Sequence, residues 1–491
     1  MRSRPGALAL GIAMFALATP APAAAVQCSS PASAYASGGP AGAGFPNDPL
    51  FSKQWGLQQI HAPAAWARGA RGNGVVIAIV DSGADLTHPD LKGKLLPGTD
   101  LTTAHRDSGG NMVPAGGRCP GAQDEEGHGT HVAGIAAAST GNGIGVAGTA
   151  PGARILPVRV LDEEGSATAQ TVDAGIRWAA DHGARVINLS LGDTPLVDEA
   201  DGSATDTEKA VAYAWSKGAV IVAAAGNETF AACDYPAAAK NAVCVGATDS
   251  NGAPAAYSNF PNDADGTVGV RAPGGSGAGM LLCDAGGDIW STIWPASPDD
   301  CGTKGYTTEA GTSMSAPFVS GVAAILAGRG LTNAQILQCL KTTSRNPITG
   351  TVGGYDPAYG SGIVDAGAAT ARCKASTTAN FGGNGNVGGS GAHVKVHVAK
   401  TSRKQLEKKG KLTVTVSSDR PVTFKLAGVV RSKGKSTTGA RRTVDLEKKG
   451  KRKVVLTLSS KARKRYAASK SAKVVVTYHA GSAHGSVSPG H

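Results

Sequence analysis

Gly74-Val75-Val76-Ile77-Ala78-Ile79-Val80 runs directly into Asp81-Ser82-Gly83. The run is continuous, apolar and rich in β-branched residues. That is the pattern of a strand covered on both faces, as in a parallel sheet flanked by helices. Ala153–Leu161, Arg185–Leu191, Ala219–Ala225 and Ala242–Ala247 repeat it. Helical patterns lie between these runs. One is predicted from about Thr171 to His182, with Gly183 as its stop. Another opens at Thr205-Asp206-Thr207-Glu208, a capping-box match, and stops at Gly218. Strands alternating with helices predict an α/β fold with a mostly parallel sheet. Ligands of such folds bind beyond the carboxyl ends of the strands. Asp81 and Asn227 both stand at ends of that kind.

Gly311-Thr312-Ser313-Met314-Ser315-Ala316-Pro317 precedes a second apolar run, Phe318–Leu326. Read as a buried helix, that run places Ser313 at a helix N-terminus. Unpaired N–H groups there favour developing negative charge. A lone Gly-Thr-Ser reads more simply as an N-cap. Two other motifs change the balance: Asp81-Ser82-Gly83 and Gly127-His128-Gly129-Thr130-His131. A serine hydroxyl becomes nucleophilic only when a base takes its proton, and a carboxylate can orient that base. His128 and His131 could share a metal ion, being three apart on a helix. No Glu is placed as in a zinc-protease motif, so His131 is expected to be structural.

The chain has 491 residues, room for two or three domains. Arg2 and Arg4, the apolar stretch Ala7–Ala18 and Ala23-Ala24-Ala25 read as a secretory signal, residues 1–25. The apolar stretch is too short to span a bilayer, and no later segment is long enough, so no transmembrane segment is expected. A secreted, extracellular protein follows, with cell-surface association a further expectation. The eight cysteines fit an oxidising compartment. Short loops favour pairing Cys233 with Cys244, Cys283 with Cys301 and Cys339 with Cys373, leaving Cys28 for Cys119.

Charge divides the chain. From Lys374 onward, 26 Lys and Arg face 4 Asp and Glu; before it, 22 face 32, so −10 is followed by +22. Residues 374–391 are rich in Gly and Asn and read as a linker. Beyond it, 392–484 carry short alternating runs at His393–Val398, Leu412–Val416, Val454–Leu458 and Val474–Tyr478. They predict a small all-β, sandwich-like domain. Leu406-Glu407-Lys408-Lys409-Gly410-Lys411 recurs as Leu446-Glu447-Lys448-Lys449-Gly450-Lys451. So basic a module is expected to attract anionic cell-surface polymers or nucleic acid. It has too few aromatic residues for a base-stacking platform.

The three motifs in the order Asp81, His128, Ser313 make the chain from roughly Asn47 to Asp365, within a predicted peptidase domain at residues 47–373, resemble the subtilisin-like serine peptidases. Asn47-Asp48-Pro49 through Trp55-Gly56 looks like the thermitase-type members. The resemblance implies a secreted serine endopeptidase acting on protein or peptide substrates, with Asn227 as oxyanion donor. It implies that substrate lies along Ser190-Leu191-Gly192 and Glu164-Gly165-Ser166 as an added strand. Ala167 departs from the glycine common in the family. The resemblance further implies a structural Ca²⁺ held by Asp48, Asp90, Asn142 and the carbonyls of Thr140, Ile144 and Val146. Cys233-Asp234-Tyr235-Pro236 aligns with the base of the S1 pocket and Glu228 with its rim. Two carboxylates there would make a processing peptidase selective for Arg or Lys at P1, the alternative to broad specificity. A second departure is the extension, residues 26–46: it is too short to bury the core of the propeptide domain usual in this family. The contrasting expectation is a binding protein whose basic module carries the function.

Overall fold

The computed structural model describes residues 46–491 apart from 107–111, 193–202, 262–266, 278–286, 298–303, 376–385, 388–393, 399–405, 408, 419–421, 433–434, 447–449, 469–472, 481–482 and 488–491. The signal segment, nearly all of the extension and most of the linker lie outside the described residues. So do Cys28, Cys283 and Cys301. The chain forms two compact units, Met1–Ala375 and Ser376–His491.

The first unit is built on a seven-stranded sheet. Its strands are β1 (Val76–Asp81), β2 (Thr99–Asp100), β3 (Arg154–Arg159), β4 (Val186–Leu189), β5 (Val220–Ala224), β6 (Ala242–Thr248) and β7 (Val268–Pro273). They are ordered β2-β3-β1-β4-β5-β6-β7 and every neighbouring pair is parallel. The continuous apolar runs divide by parity. Ile77 and Ile79 join one core with Val222, Val243, Val319 and Val322. Ala78 and Val80 join another with Val158, Ile176, Ile187 and Val211. Each core is roofed by helices, which is why no residue of these strands can be polar without a local partner. Chain order reverses around β1, between β3 and β4. That is the crevice where doubly wound sheets place ligands, and Asp81 ends β1 there.

Helix α1 (His128–Ala137) starts at the catalytic-looking histidine. Helix α2 (Ala169–Asp181) is capped by Thr168, whose side chain accepts from Thr171 N–H. Helix α3 spans Ser203–Ser216. Thr205–Glu208 thus lies inside its first turns instead of capping it, a correction to the sequence reading. Acidic residues are as favourable in a first turn as at a capping box, so the spacing alone was ambiguous. Helix α4 (Thr312–Ala327) carries Ser313 in its first turn, and α5 (Asn333–Thr343) follows. Strand β7 and the antiparallel hairpin β8 (Ile289–Thr292) and β9 (Tyr306–Glu309) had no counterpart in the sequence reading. Disulfides join Cys233 to Cys244 and Cys339 to Cys373, as loop length suggested.

The second unit holds two four-stranded antiparallel sheets. One contains β10 (Asn386–Val387), β11 (Val394–Val398), β12 (Lys411–Ser418) and β15 (Gly450–Thr457); the other contains β13 (Val422–Ser432), β14 (Lys435–Leu446), β16 (Lys473–Ala480) and β17 (Ala483–Val487). Leu412, Val414 and Leu456 share one core with Leu426, Val430 and Val476 across them, as in a sandwich. The echoed Leu-Glu-Lys-Lys-Gly-Lys segments lead into β12 and β15, which pair with each other. A helix, α6 (Ser460–Ala467), interrupts the predicted all-β pattern. It buries Ala462 and Tyr466 in that core. Its dense Lys and Arg had hidden the apolar positions.

Candidate active site

The turn after β1 and the start of α1 meet closely. A Cβ on Gly129 would lie 2.2 Å from the Gly83 carbonyl, so only glycine permits this approach. Asp124 ties the turn together. Its carboxylate accepts from Ser82 Oγ (2.9 Å), Gly127 N (2.9 Å) and Thr130 N (2.9 Å). Ser82 Oγ in turn accepts from Gly129 N at 2.9 Å. Sequence reading missed Asp124; its one signal is a carboxylate spaced to accept from a helix start. The result is a bond between His128 Nδ1 and Asp81 Oδ1 of 2.8 Å. Asp81 is fully buried. Burial opposes charging His128, but the Asp81 charge and hydrogen bond, with Glu309 and Glu126 beyond, outweigh it. The imidazole is held above its usual range. His131, wholly buried, is shifted the opposite way: burial first, then the His128 charge, push it down to about 3. It stays neutral.

Ser313 is held from both sides by Ser190. Pro317 sits within α4 and has no N–H, so the Ser313 carbonyl one turn earlier loses its helical donor. Ser190 Oγ supplies one at 2.7 Å. The Ser313 hydroxyl donates back to the Ser190 carbonyl at 3.2 Å. Asn227 is fixed through its oxygen, which accepts from Thr312 N and Thr312 Oγ1, both at 3.0 Å. That leaves its amide N–H groups to face elsewhere. A Cβ built on Gly311 would lie 3.6 Å from Ser313 N and 3.8 Å from Asn227 Nδ2, so the two nitrogens both lie near Gly311.

His128 lines a cleft of about 480 Å³ together with Leu161, Glu164, Gly165, Leu191 and Tyr235. Ser190 and Gly192 also line it. Glu164 and Gly165 of one expected substrate segment and Ser190-Leu191-Gly192 of the other thus face one channel, which Ser166 does not line. Asp234 and Glu228 do not line that cleft, though Asp234 packs behind Gly192, which does. Asp234 is buried behind Gly192 and Gly226: a Cβ on either would meet its side chain, at 3.3 and 2.1 Å. Asn259 Nδ2 donates to Glu228 Oε2 (2.9 Å) and approaches Asp234 Oδ1 (3.3 Å). Asn259 is a second residue absent from the sequence reading.

Asp48 and Asp90 are buried under the loop Thr140–Val146. Asp48 accepts from Gly141 N (2.9 Å) and Asp90 from Val146 N (2.9 Å) and Asn142 Nδ2 (2.7 Å). Burial raises both carboxyls, that of Asp90 to about 7, and the neighbouring Asp48 adds to the shift. Among the described residues no hydrogen bond reaches the carbonyls of Thr140, Ile144 or Val146. Two buried carboxylates beside three open carbonyls suit a hard cation. Asn142 presents its amide nitrogen to Asp90, so it would join that set only with the amide turned.

The sequence model of the Subtilase family matches residues 72–362. Thermitase of Thermoactinomyces vulgaris is 42% identical over 307 residues, covering 62% of this chain and 93% of its own. Subtilisin Savinase of Lederbergia lenta is 38% identical over 321 residues, covering 65% and 99%. Among solved structures, a protease from Pseudoalteromonas arctica shares 32% identity with a TM-score of 0.53, covering 67% of this chain and 99% of its own.

Proposed function

The chain belongs to the subtilase family and is a subtilisin-like serine endopeptidase, and from that premise we propose that Ser313, His128 and Asp81 are its catalytic triad. Ser313 attacks the peptide carbonyl. His128 takes the hydroxyl proton and later gives it to the leaving amine, while Asp81 fixes the tautomer and stabilises the imidazolium. The observation that carries this reading is the 2.8 Å bond from buried Asp81 to His128 at the switch point of the sheet. Asn227 Nδ2 and Ser313 N supply the oxyanion donors. Hydrolysis of casein, abolished by a serine-directed inhibitor, tests the activity. Asn227→Ala is expected to lower kcat by about 10²–10³ with KM little changed, a magnitude known from subtilisin, a relative of this chain. A loss below threefold would remove Asn227 from the oxyanion site.

Asp48, Asp90, Asn142 and the carbonyls of Thr140, Ile144 and Val146 would hold a structural Ca²⁺, neutralising two buried charges. A ligand that binds only the folded state stabilises it, by about 2.7 kcal/mol at one hundred times Kd. Chelation is therefore expected to lower the melting temperature by several degrees, and calcium to restore it. An unchanged melting curve would dismiss the site. Residues 1–25 direct secretion, and the domain limits follow the sequence reading: a peptidase at 47–373, a linker and a basic sandwich at 392–484. The +22 charge of residues 374–491 favours anionic polymers of the cell surface, in a manner that salt would weaken.

A second reading concerns specificity. Asp234, enclosed by Gly192 and Gly226, is only 3% exposed. It would form the acidic floor of S1, with Glu228 at the rim and Arg or Lys as the P1 side chain. In matched peptides, Asp234→Asn is expected to cut the Arg-to-Phe ratio of kcat/KM about tenfold, as for a lost charge-assisted bond. An unchanged ratio would leave the enzyme broadly specific.

A further inference from the structure

His105 and the acidic turn Asp162–Glu164 form a cluster outside the proposed catalytic triad, which only Glu164 joins to the cleft. His105 Nε2 lies 3.0 Å from Glu163 Oε2, 3.2 Å from Glu164 Oε2 and 3.8 Å from Asp162 Oδ2. The other ring nitrogen, Nδ1, is 3.0 Å from the Thr103 carbonyl, which can only accept. Nδ1 therefore carries a ring proton, and Nε2 faces carboxylate oxygens, as a donor when the ring is charged and as a lone pair when it is neutral. Acceptors facing acceptors need a cation between them, either a second ring proton or a metal ion. The Thr103 bond is also the kind of outer contact that fixes the tautomer of a metal-binding histidine.

The carboxylates have separate tasks. Glu163 is drawn toward Arg118 (3.4 Å) and Arg159 (4.0 Å). Asp162 uses Oδ1 to accept from Glu164 N (3.1 Å) and Ser166 N (2.8 Å), which shapes the turn and leaves Oδ2 toward His105. The ligand atoms of His105, Asp162 and Glu164 all lie within 4.8 Å of one another. Ligands about 2.1 Å from a tetrahedral zinc ion stand about 3.4 Å apart. The distances of 3.2 and 3.8 Å from Nε2 to the Glu164 and Asp162 oxygens bracket that spacing. One imidazole and two carboxylates suit zinc better than calcium, which takes oxygen ligands. The three side chains are 20%, 18% and 30% exposed, so an ion can enter and water can complete its shell.

We propose that His105, Asp162 and Glu164 form a Zn²⁺ site with Thr103 orienting the imidazole. A bound ion ties the segment 103–106 to the turn whose Glu164 and Gly165 line the cleft. It stiffens that wall and withdraws the Glu164 charge from the channel. This consequence rests on reading the cleft as the substrate channel; zinc binding itself does not.

The test is calorimetric titration of the full-length Ser313→Ala protein with Zn²⁺, in buffer saturated with calcium. One ion is expected to bind in the micromolar range, and below neutral pH binding should release about one proton from the imidazole. His105→Ala and Glu164→Gln should each weaken binding at least about tenfold, with melting curves recorded to show that both variants fold. No binding, or equal affinity in both folded variants, would overturn the site. In the active enzyme, zinc is expected to change KM for peptides long enough to reach Glu164, and not for short ones. Binding without that difference would overturn the coupling to the cleft while leaving the triad untouched.

Discussion

Ser313→Ala is expected to lower kcat by about 10⁶, the magnitude known for the nucleophile of subtilisin, a member of the same family. The fold should survive. Among the described residues the Ser313 hydroxyl makes one hydrogen bond, to the Ser190 carbonyl at 3.2 Å, and such a bond contributes only about 1 kcal/mol. The Ser190 Oγ bond to the Ser313 carbonyl does not involve the lost hydroxyl. A native circular-dichroism spectrum with no hydrolysis is therefore the expected result. Retained activity with a native spectrum would place the nucleophile elsewhere.

Asp81→Asn is expected to lower kcat by about 10⁴, again a magnitude known from serine peptidases. The size of the residue hardly changes; what changes is the partner offered to His128 Nδ1. An amide can present N–H instead of oxygen, and the imidazole then holds the wrong tautomer. The pH profile should move as well. The Asp81 carboxylate is the foremost influence raising the His128 pKa against burial. Activity needs neutral His128, so it appears as pH rises through that pKa. Losing Asp81 lowers the pKa, and the residual activity should rise at lower pH than in the native enzyme. A loss under tenfold, or an unmoved profile, would deny Asp81 this role.

Much of the architecture was legible because the signal was periodic. Five apolar runs became five strands of the parallel sheet, and the parity of residues 77–80 explains why no alternation was visible. Strand β7 was not legible. Val268–Pro273 contains Arg271, whose buried guanidinium bonds the Ala247 carbonyl at 2.7 Å. A charged residue conceals a buried strand when its partner lies far away in sequence. Hairpin β8–β9 was hidden similarly, by polar residues such as Ser291 and Thr292 that bond backbone carbonyls of α1. The candidate site divides in the same way. Asp81, His128 and Ser313 sit in short motifs, whereas Asp124 and Asn259 act by orienting other groups and carry no pattern of their own. The effect of Pro317 on the Ser313 carbonyl emerges only once Ser190 is seen beside it.

The most direct measurement of the central assignment is covalent labelling of the native protein with a serine-directed phosphonate, followed by peptide mapping. A single equivalent on Ser313 is expected, appearing in step with the loss of hydrolysis and abolished in His128→Ala, because an unactivated hydroxyl is a weak nucleophile. Label on any other serine, or full inhibition with Ser313 unmodified, would contradict the assignment of Ser313 and His128 as the reacting pair.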